Sequence, residues 1–300
     1  MAGLGEVISD VILCSLYIYL LIRLATAKDD YFKSPFYTFF IATGVYSVMT
    51  VFFYQIVRQF VEEYWTHYIG LVQKGLNSFG AKGATFGKVN ISIHRYFVIR
   101  NRDFAEKKCS RSLVYKVLAI QFVIAAIFTI PVIPSTYVYK NNNEKEEILS
   151  LDKTSMLILK IIGVTMYLLY ILCNSIFTVL TSRELLRLRS ILEDNSATSK
   201  KIMVQQRNMF IIVSLCSLSH LLKALQQFII GVSTYIDMAS LTTFIWSLYP
   251  LVNGLSTYAA PVCLVLLSPT VRSRFLMGFF PTITGSSVDT TTSTQQRYAQ

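Results

Sequence analysis

The chain has 300 residues, enough for two soluble domains by length, but 53% are hydrophobic and 15% charged, against about 25% charged in an ordinary globular protein. Its formal net charge is +11, and five cysteines are scattered along the whole length. A water-soluble single domain, a disordered chain and a disulfide scaffold are thereby excluded. The long apolar runs that charge barely interrupts belong to a protein that crosses a membrane several times.

Seven spans are predicted, at Val7–Leu24, Pro35–Val57, Gly75–Ile99, Leu113–Pro134, Thr154–Ser182, Asn208–Gly231 and Leu241–Leu267. The third has the weakest hydropathy, because it carries Lys82 and Lys88 together with Gly80, Gly83 and Gly87. Glycines at three- and four-residue spacing let a neighbouring helix approach closely, so this span is expected at the centre of a bundle. The first span is expected to remain uncleaved despite Ala25-Thr26-Ala27, since no Lys or Arg precedes it and its apolar run is long for a signal peptide.

Placing the amino terminus outside puts nineteen of the 28 Lys and Arg residues in inner segments and five in outer ones. That asymmetry is the positive-inside pattern, so the basic charge reports topology and not nucleic-acid binding. Tyr64, Trp65, Tyr68, Tyr137 and Tyr139 flank outer span ends and are expected as interfacial anchors. No cysteine falls in an outer loop. The one glycosylation sequon, Asn90-Ile91-Ser92, falls near the inner end of span three, beyond the reach of lumenal enzymes.

Two local patterns sharpen the picture. His94-Arg95-Tyr96 stands at the inner end of span three, and Ala260-Pro261-Val262-Cys263-Leu264 followed by Ser268 and Arg272 closes span seven. The first resembles the Asp-Arg-Tyr motif of rhodopsin-like receptors with His in place of Asp. The second has the spacing of their N-P-x-x-Y segment, keeping Pro261 and Arg272. With Lys33-Ser34-Pro35-Phe36-Tyr37 before span two and Leu267-Ser268-Pro269-Thr270-Val271-Arg272 after span seven, the chain resembles a nematode serpentine chemoreceptor of the gamma superfamily, class gamma or class V, over about Met1–Phe280. The resemblance implies an all-α membrane protein with the seven-transmembrane bundle of a rhodopsin-like G-protein-coupled receptor. It further implies a plasma-membrane receptor of chemosensory neurons that binds a small-molecule ligand and signals through a heterotrimeric G protein. The receptor domain is expected to span residues 1–280, including a short amphipathic helix at 269–280.

On the cytoplasmic side, the resemblance makes His94, Arg95, Tyr96, Pro261 and Arg272 the activation and coupling residues. His94 cannot hold Arg95 as an Asp would, and Glu184 at the base of span five is a conceivable substitute. Arg183, Glu184, Arg187, Arg189 and Glu193, interleaved with leucines, suggest that helix five continues into the cytoplasm. Residues 281–300 are rich in Ser and Thr and are expected to be disordered, with phosphorylation there able to recruit an arrestin.

Ionisable groups inside a bilayer cost about 2.5–3.5 kcal/mol each at its centre and call for a partner or a cavity. Lys82, Lys88, Lys160, His220 and Lys223 lie within spans, and no Asp or Glu lies deep enough to pair with them. Snorkelling suits Lys160 best, being close to the outer end of span five. On span six, His220, Lys223 and Gln227 share one helical face, with Gln226 at its margin, while Trp246 and Tyr249 lie at similar depth on span seven. Lys82, Lys160, His220, Lys223, Gln227, Trp246 and Tyr249 are therefore the candidate ligand-binding residues, in a positive environment suited to an anionic molecule. Interhelical fastening is the competing role for the same polar groups. No metal-ligand spacing, nucleophile elbow or carboxylate dyad suggests an enzyme, and neither a metal nor a cofactor is expected. A transporter or ligand-gated channel for a small anionic solute is the alternative function, though spans one to three do not repeat in spans five to seven.

Overall fold

The computed structural model describes residues 4–56, 67–100, 110–132, 137–142, 146–151, 153–192, 197–236 and 238–276. Its helices are α1 (Leu4–Ala25), α2 (Pro35–Val51), α3 (His67–Arg100), α4 (Arg111–Ile127), α5 (Lys153–Leu192), α6 (Ala197–Tyr235), α7 (Ala239–Ser247), α8 (Tyr249–Leu267) and α9 (Pro269–Leu276). Each start has a local cause where the sequence supplies one. Pro35 opens α2 at a first-turn position that loses no hydrogen bond, and the Ser110 side chain caps α4 by accepting from the Leu113 amide.

Six segments among the described residues are long and apolar enough to cross a membrane. α3 is not among them on hydropathy, yet it runs 34 residues and packs against α2, α4 and α5. Its glycines explain that position. A Cβ at Gly80 would lie 2.9 Å from the Tyr46 carbonyl oxygen, while Cβ atoms at Gly83 and Gly87 would strike the Tyr46 ring and the Thr43 hydroxyl. α2 thus rests directly on the backbone of α3. Gln121 of α4 fastens the other side, donating to the Gly83 carbonyl (2.8 Å) and accepting from Asn90 (2.9 Å).

Span seven differs from the single helix that its hydropathy predicts. It breaks at Leu248 between α7 and α8. Pro250 lies in the first turn of α8 and has no N–H with which to continue the ladder from α7. The outer end of span two likewise leaves the α-helical repeat, finishing in a π-turn at Phe52–Ile56. An antiparallel hairpin, β1 (Tyr137–Asn142) with β2 (Glu146–Leu151), joins α4 to α5, with Tyr137 opposite Leu151 and Asn142 opposite Glu146. α5 extends to Leu192, as its charged and leucine-rich end predicts, and α6 begins at Ala197 with a comparable extension.

The short helix α9 folds back on α1. Tyr19 and Phe275 meet edge to face at 5.4 Å, and Arg274 lies 3.9 Å from the Asp29 carboxylate. In the adjoining loop Asp30 accepts from Lys33 at 2.8 Å, which holds its carboxyl below the usual range. The tail from 277 onward, Tyr64, Trp65 and Cys109 lie outside the described residues.

Candidate functional site

In the orientation expected from the charge count, a column of polar side chains descends from the outer end of α5, α6 and α7 to mid-membrane. At the top, Lys160 of α5 donates to Gln227 of α6 at 2.6 Å, and its ammonium lies 5.0 Å from the centre of the Trp246 ring. It therefore does not snorkel: a neutral oxygen and an aromatic face within reach hold it among the helices. Trp246 and Tyr249 are 5.2 Å apart, and Tyr249 meets Tyr54 at 4.8 Å.

One turn deeper, Lys223 is buried and donates to the Asn253 side-chain oxygen at 2.6 Å and to the Ser256 hydroxyl at 3.4 Å. Deeper again, Lys88 of α3 is buried and donates to the Ser256 carbonyl at 2.7 Å, while its Nζ lies 3.1 Å from His220 Nε2. His220 Nδ1 lies 2.9 Å from the Cys216 carbonyl, which can only accept, so Nδ1 carries the proton and Nε2 accepts from Lys88. The rings of Tyr167 and Tyr170 flank the imidazole at 6.1 and 4.7 Å. His220 to Gln227 is seven residues, or roughly 10 Å along α6.

Of the seven predicted ligand-binding residues, six thus fall along one column: Lys160, His220, Lys223, Gln227, Trp246 and Tyr249. Lys82 is engaged elsewhere. It donates to Ser78 at 2.6 Å and to the Phe128 carbonyl at the end of α4, a place where helix-terminal oxygens favour a cation. Sequence reasoning left Lys88 out of the site and missed Asn253 and Ser256. Residues 246, 249, 253 and 256 recur at three- and four-residue spacing, a periodicity that identifies all four as one face.

Below Lys88, Ser92 of α3 donates to the Asn174 side chain of α5, which donates to Ser217 of α6. Asn174 is fully buried, so the three helices are tied at one polar node. A small apolar cavity borders Lys88 between Phe36, Phe40, Ile212 and Cys216. A second lies beside Arg95, lined by Thr178, Thr181 and Phe210.

At the inner end, the Arg95 guanidinium stacks over Phe36 of α2. No carboxylate reaches it among the described residues. Glu184, the expected substitute, lies 3.7 Å from Arg187 on its own helix. His94 packs its ring against Phe39 at 5.9 Å, and Tyr96 accepts from Arg100 and packs on Phe177 at 5.8 Å. Pro261 is buried inside α8. Arg272 is exposed and donates to the Leu266 carbonyl at 3.3 Å.

No curated protein matches the chain in sequence. Among solved structures it is similar to squid rhodopsin, with a TM-score of 0.71 over 99% of this chain and 90% of that one, at 14% identity. That likeness establishes the fold, a seven-helix bundle; the apolar helices, together with the family match that follows, make this a multi-pass membrane protein. Residues 7–280 match the family of serpentine type 7TM GPCR chemoreceptors Srv, whose members are receptors and not enzymes. The chain belongs to that family.

Proposed function

We propose that this receptor resides in the plasma membrane of chemosensory neurons with its amino terminus outside, binds an acidic small organic molecule in the outer half of the bundle, and activates a heterotrimeric G protein. The observation that carries the ligand class is the run of Lys160, Lys223 and Lys88 down one column with neutral partners, namely side-chain and backbone oxygens, the Trp246 face and the His220 ring, and no carboxylate among the described residues. In a low-dielectric interior such a run creates a positive potential that attracts carboxylate or sulfate and repels an amine. Lys160, Lys223, Gln227, Trp246 and Tyr249 form the contact surface, with His220 below, and Lys82 contributes through the packing of α4 on α3. Gln227 and Asn253 hold the lysines until a stronger acceptor arrives.

Coupling falls to the inner face, where Arg95 and Tyr96 on α3, supported by His94, Pro261 and Arg272, contact the G protein once α6 moves. The inner leaflet binds the basic α9, and the Ser/Thr-rich tail recruits arrestin when phosphorylated. Purified receptor in lipid vesicles with a heterotrimeric G protein tests this reading. Nucleotide exchange stimulated by members of a panel of organic acids, and by none of the matching amines, is the expected result. A current evoked by the same acids without any G protein would instead make the protein a channel.

A further inference from the structure

The cavity below Lys88 has a property that the outer site does not explain. An ammonium carries three N–H donors. Two of those on Lys88 go to the Ser256 carbonyl and to His220 Nε2, and the third has no acceptor among the described residues. Lys88 is also the one cationic side chain on a cavity walled mainly by Phe36, Phe40, Ile91, Ile212 and Cys216, with Tyr17, Thr43, Ser92 and Tyr170 completing the lining. Its neighbours increase the need for compensation. Lys223 lies within Coulombic reach of both Lys88 and Lys160, and no Asp or Glu approaches any of them among the described residues.

We infer that this cavity is a binding site for a small inorganic anion of halide size, held by the unspent N–H of Lys88. Buried charge in proteins is paired, and neutral oxygens supply hydrogen bonds without supplying a counter-charge. A water molecule would satisfy the third N–H and leave the charge uncompensated. The space is that of one or two water molecules, too small for an organic acid with any chain. The mainly apolar walls, with a few hydroxyls among them, suit a weakly hydrated monovalent anion better than sulfate or phosphate, whose oxygens would need several charged donors. Ser92 lies on the same cavity and also on the one beside Arg95, so the ion sits at the junction of α3 and α6 between the outer column and the coupling face. The site stands independently of the organic ligand proposed above.

The test uses full-length receptor in nanodiscs of zwitterionic lipid at fixed ionic strength, with bromide replacing gluconate stepwise. The wild-type melting temperature should rise and saturate with bromide, and Lys160→Met, at the outer end of the column, should keep that dependence. Lys88→Met should lose it. Because Lys88→Met also removes two helix-to-helix hydrogen bonds, Ile212→Phe provides the second variant: it keeps the ammonium, fills the cavity and should be equally indifferent to bromide. A bromide anomalous signal next to Lys88 in crystals would place the ion directly. A wild-type receptor indifferent to bromide, or an Ile212→Phe variant with the full wild-type dependence, would overturn the inference. Neither result bears on the outer site, since the assay contains no organic ligand and no G protein.

Discussion

The guanidinium carbon of Arg95 lies 3.9 Å from the centre of the Phe36 ring, so the arginine of His94-Arg95-Tyr96 is held by an aromatic face on α2 and, among the described residues, by no carboxylate. Phe36 is buried and packs on Tyr37 at 5.0 Å, which fixes the ring that Arg95 covers. A desolvated cation–π contact contributes about 0.5–2 kcal/mol. If that contact restrains the resting state, Phe36→Leu should raise ligand-independent signalling by about two- to thirtyfold, the ratio that range converts to, while Phe36→Trp should keep signalling low. Basal nucleotide exchange on purified protein measures both. Equal basal rates in the Leu variant and wild type would show that Arg95 is restrained by something other than the ring.

The bundle itself was legible because a 20-residue apolar run has few alternatives, and even the atypical third span declared its central place through Gly80, Gly83 and Gly87. The details that escaped share a cause: they depend on which residue of a distant span lies opposite. Hydropathy cannot show that Glu184 turns to Arg187, or that Phe36, thirty-five residues from the start of the chain, covers Arg95. It makes Lys88 one more awkward cation, although Lys88 joins α3 to α6 and α8. The break at Leu248 had a local sign in Pro250, but membrane helices tolerate an internal proline, as α8 does at Pro261. The hairpin at 137–151 had no comparable signal, since Lys140, Asn141 and Asn142 read as a polar loop.

Gly83 offers a direct test of the α2–α3 contact. A side chain there would enter the Tyr46 ring, which itself packs on Phe79 at 5.5 Å and has little room to yield. Gly83→Val should cost about 1–3 kcal/mol through overpacking, seen as a lower melting temperature in detergent and reduced surface expression. Gly75 lies on the same helix with nothing within 4 Å of its Cβ position. Gly75→Ala should therefore be neutral or slightly stabilising, and a comparable loss there would mean that α3 tolerates no substitution for reasons other than the contact with α2.

The Ser92–Asn174–Ser217 node predicts non-additivity. Asn174→Leu keeps the volume but removes both bonds between helices, leaving the Ser92 and Ser217 hydroxyls only the Lys88 and Val213 carbonyls of their own helices, at about 0.5–1.5 kcal/mol per lost bond. Adding Ser92→Ala and Ser217→Ala to that variant should cost less than the same changes cost in the wild type, because the bonds between helices that the serines make through Asn174 are already gone. A double- and triple-variant series of melting temperatures measures the coupling. Strict additivity would mean that the three side chains do not act as one network.

The outer column makes the sharpest functional prediction. Lys223 lies between the Lys160–Gln227 pair above and the Lys88–His220 pair below, and its ammonium is held by Asn253 and Ser256 on α8. Lys223→Met removes the charge and keeps much of the volume, so it should weaken the response to an acidic agonist at least tenfold, equivalent to about 1.4 kcal/mol. The methyl ester of the same agonist should lose far less between wild type and variant, since it brings no charge for Lys223 to meet. Trp246→Ala separates this from simple packing: it removes the aromatic wall and the face under Lys160, so acid and ester should both weaken. Dose–response curves for acid and ester on the three proteins decide the matter. If Lys223→Met answers the acid at the wild-type concentration while Trp246→Ala does not, the pocket is apolar and Lys223 only fastens α6 to α8.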